Sequence, residues 1–230
     1  MKILVCVKQV PDLEARFVPN AAGTWYEETG LAFRMNDYDE FAVEEAIRIR
    51  ERLDGAAEVT VLSIGPDRVV DTIRKAIAMG CDHGVQVRDP DASDRDPWQI
   101  ASMIAGFAAS RGFDLILAGM QSIDRGSAQV GVLAAEFLGV PVVTTVVGLT
   151  IEGRSMTAER ELEGGSRGIV RVPLPALATC QLGLNSPRYP TLPGIMKSKK
   201  REILCLTPEE AGLEAPLATS GNFGPHARKG

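Results

Sequence analysis

Five short runs of Val, Ile and Leu, at residues 3–7, 59–64, 84–87, 115–118 and 140–147, alternate with segments whose apolar residues recur at helical spacing. Runs that are apolar at nearly every position suit strands covered on both faces, so the alternation predicts an α/β fold with an open, mostly parallel, doubly wound sheet. Asn36-Asp37 offers caps for a first helix reaching about Leu53, with Val43, Ala46, Ile47, Ile49 and Leu53 inward and Glu44 paired to Arg48 outside. Pro66 opens a second helix, whose stripe is Val69, Val70, Ile73, Ala76 and Ile77 and whose stop is Gly80. Asp96-Pro97 opens a third through Ile100, Ile104 and Phe107.

Residues 9–35 form a long insertion after the first strand, with a hairpin expected around Asn20 to Gly23. Loops of that length in compact domains are more often functional than idle. After Val147 the pattern changes to short strands at 148–151, 155–162, 169–172 and 176–180, punctuated by Gly164-Gly165 and Pro173, which reads as a short antiparallel addition. From about Pro208 the chain is rich in Ala, Gly and Pro and reads as an extended C-terminal tail that packs along another protein. The expected organisation is an α/β domain at 1–183, a distinct segment at 184–201 and an extension at 202–230.

Composition excludes several functions. No apolar run approaches the roughly 20 residues of a membrane span, and Met1-Lys2 leads directly into a strand, so membrane insertion is not expected and a cytoplasmic location is. A formal net charge of -5 argues against general nucleic-acid binding, although 197–201 is a local basic cluster. Cys6, Cys81, Cys180 and Cys205 lie far apart without a C-x-x-C pair, which disfavours a metal site or a disulfide framework. With only His83 and His226 present, no Ser-His-Asp or Cys-His constellation can be assembled.

The segment with most chemical content follows the fourth apolar run: Gly119-Met120-Gln121-Ser122-Ile123-Asp124-Arg125-Gly126-Ser127-Ala128-Gln129-Val130. It is a polar loop entering a helix striped by Val130, Leu133, Ala134, Phe137 and Leu138, with Ser127 as the expected N-cap. Free backbone N–H groups at a helix start favour an anion such as phosphate, and Gly126 lets a ligand approach the backbone. Many strand-to-helix turns carry Gly and Ser only to cap a helix, so the loop alone does not decide the matter. In an open parallel sheet, ligands sit beyond the carboxyl ends of the strands where strand order reverses. For an order 3-2-1-4-5 that crevice lies between the first and fourth strands, with Cys6 and Ile64 as apolar walls for an adenine. Neither G-x-G-x-x-G nor G-x-x-x-x-G-K-[ST] is present, so dinucleotide-fingerprint and P-loop hydrolase readings fail.

A second segment, 184–201, combines Pro187, Pro190 and Pro193 with Leu192 and a basic run containing Lys197, Lys199 and Lys200. It reads either as a stiff surface linker or as a preorganised loop offering one apolar anchor within a basic rim, as a transient protein interface requires.

Together these segments resemble the beta subunit of electron transfer flavoprotein. The resemblance rests on Val5-Cys6-Val7-Lys8, Met35-Asn36 before Ala42-Val43-Glu44-Glu45-Ala46, Ala78-Met79-Gly80, Gln121-Ser122-Ile123-Asp124, Glu161-Leu162-Glu163-Gly164-Gly165 and the run from Asn185 to Lys200. It implies a sheet of the adenine-nucleotide-binding type in an electron carrier that is not itself an enzyme. It also implies a heterodimer with an alpha subunit that holds most of a redox-active FAD, while the beta subunit buries AMP. By resemblance the AMP pocket comprises Cys6, Asn36, Asp37, Tyr38, Asp39, Ile64 and residues Gly119 to Val130, with Leu13 and Tyr38 near the flavin ring. Leu192 matches the leucine that anchors an acyl-CoA or related flavin dehydrogenase, flanked by Lys197, Lys199 and Lys200, and electrons pass on to a quinone oxidoreductase in fatty acid β-oxidation. The segment around Ser166 to Ile169 is one residue longer than in the family pattern.

Two alternatives remain at this level. Some members of the family bind a second FAD in place of AMP and bifurcate electrons, and residues 124–131 partly resemble their loop; a free-standing nucleotide-binding sensor on the same scaffold would need neither Leu192 nor its basic rim.

Overall fold

In the computed structural model, residues 1–21, 23 and 26–214 are described. The elements in order are β1 (Lys2–Cys6), β2 (Gln9–Pro11), β3 (Phe33–Met35), α1 (Asp37–Arg52), β4 (Glu58–Gly65), α2 (Val69–Met79), β5 (His83–Arg88), α3 (Pro97–Ala109), β6 (Leu115–Gly119), α4 (Val130–Leu138), β7 (Val142–Glu152), β8 (Ser155–Glu161), β9 (Arg167–Pro173), β10 (Ala176–Cys180), α5 (Leu192–Lys200) and β11 (Ile203–Leu206). Nine strands make one sheet in the order β11-β5-β4-β1-β6-β10-β7-β8-β9, while β2 and β3 pair separately as an antiparallel arm within the long insertion. The sheet is parallel from β11 to β7 and antiparallel through β8 and β9.

Strand alternation divides the core. Ile3, Val5, Val59, Val61, Leu115 and Leu117 meet Val43 and Ile47 of α1 and Ile73 and Ile77 of α2 on one face. Leu4, Leu62, Val85, Val87 and Ile116 meet Ile104 and Phe107 of α3 and Ala134 of α4 on the other. Fully burying each such side chain contributes about 1.5–3 kcal/mol, so the doubly wound layering follows from the apolar runs themselves.

The ends of α2 and α3 follow local chemistry. Asp96 and Gln99 form a reciprocal capping box on α3, and Gly80 ends α2 with a φ of 145° that a side chain rarely adopts.

Four expectations need correction. The run 176–180 is not part of the antiparallel addition: β10 is a fully buried parallel strand between β6 and β7, so the order 3-2-1-4-5 fails at its last place. Five residues buried on both faces carry no period that distinguishes parallel from antiparallel pairing. Residues 140–147 and 148–151 are not two strands, because β7 runs through Gly148, pairing with β10 first and β8 afterwards. Glu44 does pair with Arg48, but inside the fold, at 2% exposure. The segment after Arg201 begins as β11 beside β5, and its continuation lies on α3 with Ala211 buried and the Glu214 N–H donating to Ser102 Oγ at 3.1 Å. Gly106 permits that crossing, since a Cβ there would overlap the Ala211 carbonyl oxygen. The Gly221 to Pro225 stretch lies outside the described residues.

The partial hairpin expected around Asn20 to Gly23 is present as a turn, with Gly23 N–H donating to Asn20 O, closed by an antiparallel bridge between Pro19 and Tyr26. No helix among the described residues is long and apolar enough to cross a membrane.

Candidate functional site

The strand order reverses between β1 and β6, and the chain places its polar residues at the carboxyl ends of those two strands. Cys6, Ile64 and Val130 each pack, partly buried, against the apolar cluster on the α3/α4 face. A flat apolar ring fits between such strand ends. Burial, helped by Asp39, pushes the Cys6 thiol well up, so at neutral pH it is an uncharged wall rather than a nucleophile.

On the other side of the strand ends stands the first turn of α1. Asn36 occupies the N-cap position, yet its side chain makes no cap bond. It reaches instead to the β6–α4 loop: Nδ2 donates to Gln121 O at 2.9 Å and Oδ1 accepts from Ile123 N–H at 3.0 Å, with the residue 1% exposed. Asp39 accepts from the backbone N–H groups of Lys8 and Gly119. Tyr38 accepts from Gln121 Nε2 at 3.3 Å, and Asp37 pairs with Arg34. Lys8 closes the same loop from β1, with Nζ 2.7 Å from both oxygens of Asp124 and 3.3 Å from Ser122 Oγ. The structure thus gathers Asn36, Tyr38, Asp39, Gln121, Ser122, Ile123 and Asp124 into one hydrogen-bonded group at the carboxyl ends of β1 and β6. Lys8, which the sequence reading did not include among the site residues, belongs to this group; its place directly after an apolar strand was the available signal.

Beyond Asp124 the loop turns outward, and Arg125, Gly126, Ser127, Ala128 and Gln129 are exposed. Ser127 is not the N-cap of α4. The helix begins at Val130, Gln129 is the N-cap, and Ala128 with a φ of 53° reverses the chain just before it. Gly131 in its first turn lies against β10, where a Cβ would stand 2.7 Å from Thr179 Cγ2. The first turn of α4 lacks a side-chain cap, which leaves its N–H groups for water or an anion. These features fit an adenine nucleotide: an apolar slot at Cys6 and Ile64, an uncapped helix start, and an exposed glycine-containing loop between them. Among the described residues no group of three or more His, Cys, Asp or Glu side chains could hold a metal ion.

The second candidate segment is not a loop at Leu192. Thr191 caps α5 by accepting from Gly194 N–H at 3.1 Å, and Leu192 is the first helical residue, with Pro193 following in the first turn. The helix lies on α2, where Gly194 sits so close to the Ala78 carbonyl that a Cβ could not be accommodated, and Arg74 donates to Ser198 O. Leu192 at 72%, Met196 at 59% and the preceding Tyr189 at 92% exposure stand away from the fold, and Lys197, Lys199, Lys200 and Arg201 are exposed beside them.

Asn185 and Arg188 have a different role from their neighbours. Asn185 Nδ2 donates to Phe41 O and Glu45 Oε2, while Arg188 bridges Glu44 and Glu51, so both tie the base of the segment to α1. Burial works against the charged form of Glu44, but Arg188 and Arg48 hold its carboxyl below the usual carboxylate range. Leu13, in the insertion, is 53% exposed.

A family profile described as the electron transfer flavoprotein domain matches residues 23–211. The chain is 37% identical over 231 aligned residues to the electron transfer flavoprotein subunit beta of Bacillus subtilis, covering 98% of this chain and 88% of that protein. The human protein of the same name is 39% identical over 218 residues, with 93% and 84% covered, and that of Methylophilus methylotrophus is 36% identical over 217 residues, with 94% and 82% covered.

Proposed function

This chain belongs to the electron transfer flavoprotein family as a beta subunit, and we propose that it joins its alpha subunit in a heterodimer that carries electrons from an acyl-CoA or related flavin dehydrogenase toward a quinone oxidoreductase. Membership makes it an electron-transfer subunit with an alpha-subunit partner. In the proposed complex the crevice between β1 and β6 holds one AMP, with the adenine against Cys6 and Ile64 and the phosphate near the uncapped start of α4. The FAD, held mainly by the alpha subunit, supplies the redox chemistry, and this chain contributes walls around it from Tyr38 and Leu13. In this role the chain is a carrier subunit and not an enzyme.

The reading is supported by an uncapped helix start and by the apolar Cys6 and Ile64 at strand ends where strand order reverses, in a chain that also presents Leu192 on a braced helix with a basic flank. Rim lysines at 197, 199 and 200 would speed encounter with an acidic partner surface, while Leu192 would hold the complex once formed. A free-standing nucleotide sensor would have no use for that exposed leucine.

Assembly offers the direct test. Expressed alone, the chain should be colourless and melt at lower temperature than the heterodimer, because nucleotide and subunit binding stabilise the folded state by mass action. Absorbance and thermal melting of the chain alone and co-expressed with its alpha subunit measure both. A stable yellow monomer containing FAD would contradict the heterodimer reading.

A further inference from the structure

The backbone ladder between β1 and β6 ends where Cys6 lies opposite Ala118. Past that pair no strand bond fixes how far apart the two chain ends stand, yet this is where the crevice opens. At the strand ends themselves the Asp39 carboxylate spans the gap, with Oδ2 accepting from Lys8 N–H at 2.6 Å and Oδ1 from Gly119 N–H at 3.0 Å, while the Lys8 side chain crosses farther out to Asp124. Asp39 is 5% exposed, and each of its oxygens bonds a backbone N–H of this chain. A Cβ on Gly119 would collide with Asp39 Oδ1 and approach Tyr38 Cβ to 2.7 Å, so only a bare backbone fits against the carboxylate.

On the reading that the crevice holds an adenine nucleotide, we propose that Asp39 is a positioning residue that sets the width of the crevice by clasping the ends of β1 and β6, without touching the ligand. The family resemblance would place Asp39 in contact with AMP; the geometry turns its carboxylate toward the chain.

A carboxylate accepts both N–H groups, whereas a carboxylic acid carries a proton on one oxygen and loses an acceptor there. Burial pushes the Asp39 carboxyl up to about 7, against the opposing pull of the Lys8 N–H, the Asn36 amide and the Gly119 N–H. The groups around it are Cys6 and Lys8 from the β1 side, Cys180 from β10, which also interacts with Glu45 of α1, Asp124 through Lys8, and Tyr38, which shares the approach to Gly119. Burial pushes the Cys6 and Cys180 thiols well up, Lys8 is paired with Asp124, and Glu45 with Arg52. Asp39 is therefore the group whose charge changes near neutrality, and the clasp should slacken as pH falls.

The test uses the heterodimer stripped of nucleotide and titrated calorimetrically with AMP between pH 8 and pH 6. Wild-type affinity is expected to weaken about fivefold across that range, the fold-change of a site whose group of pKa near 7 binds about tenfold more weakly when protonated than when ionised. Asp39→Asn keeps one acceptor but puts an amide against the second N–H. At pH 8 it should bind AMP about tenfold more weakly than wild type, with the difference closing by pH 6. Taking the ratio of the two proteins removes the titration of the AMP phosphate itself, which falls near pH 6. Adenosine, which has no phosphate, gives the same pH dependence on wild-type protein alone and covers the case of a variant that does not fold. Wild-type AMP affinity in Asp39→Asn at pH 8, or adenosine affinity that is flat with pH, would overturn the clasp while leaving the adenine-nucleotide reading intact. A complex that binds neither AMP nor adenosine at any pH would overturn both.

Discussion

Leu192→Ala should lower electron transfer from the proposed dehydrogenase partner by a factor of about 5 to 150 at limiting partner, while nucleotide content and assembly with the alpha subunit stay unchanged. The magnitude is that of removing one buried apolar anchor from a complex, on the order of 1 to 3 kcal/mol. Its location supports the upper part of that range. Leu192 opens a capped helix whose backbone is seated on α2 through Gly194 and Arg74, so little ordering remains to be done on docking. Met196, one turn later, extends the same exposed surface. Steady-state transfer rates measured against partner concentration check this. Wild-type kinetics at limiting partner would reduce α5 to a structural feature, and loss of nucleotide would mean that the substitution had damaged the fold.

Arg188→Ala carries the second large effect. Its guanidinium lies within 2.8 Å of Glu44 and 2.6 Å of Glu51, and Glu44 is 2% exposed. Removing one partner of a buried ion pair typically costs about 3–5 kcal/mol. Here about 2–3 kcal/mol is expected, because Arg188 is itself 35% exposed and Arg48 still bonds Glu44. That corresponds to a fall in Tm of about 4–12 °C for a chain of this size. Electron transfer should fall as well, although Arg188 need not touch the partner, since it fixes the segment that leads to Leu192. Arg188→Lys should rescue little, as a single ammonium cannot bridge two carboxylates as a planar guanidinium does. Equal melting temperatures for Arg188→Ala and wild type would show that the network bears no load.

Residues with a strong local pattern were legible without coordinates. The five apolar runs, the Asp96-Pro97 helix start and the Gly80 stop depend on burial and on backbone angles that the residue types themselves dictate. The sheet order was legible only as far as those runs were consecutive. β10 inserts between β6 and β7 from a distant part of the chain, and β11 joins the far edge after α5; nothing local encodes which neighbour a buried strand selects. At the site, Ser127 has the chemistry of a cap, but the N-cap is Gln129, two residues later, and Gly131 seats the first turn against Thr179, a tertiary contact outside any local signal. Asn36 and Asp39 similarly sit where capping residues belong, and their side chains are drawn to the strand ends instead. The exposed Leu192 was evident from its prolines and lysines, whereas the anchors Asn185 and Arg188 required the partners Glu44 and Glu45 from α1.

The most direct measurement is a nucleotide count on the purified heterodimer. Denaturing it and separating the released ligands by chromatography should yield one FAD and one AMP per complex. Two FAD and no AMP would contradict the proposed occupancy of the crevice between β1 and β6 and put an electron-bifurcating flavoprotein in its place.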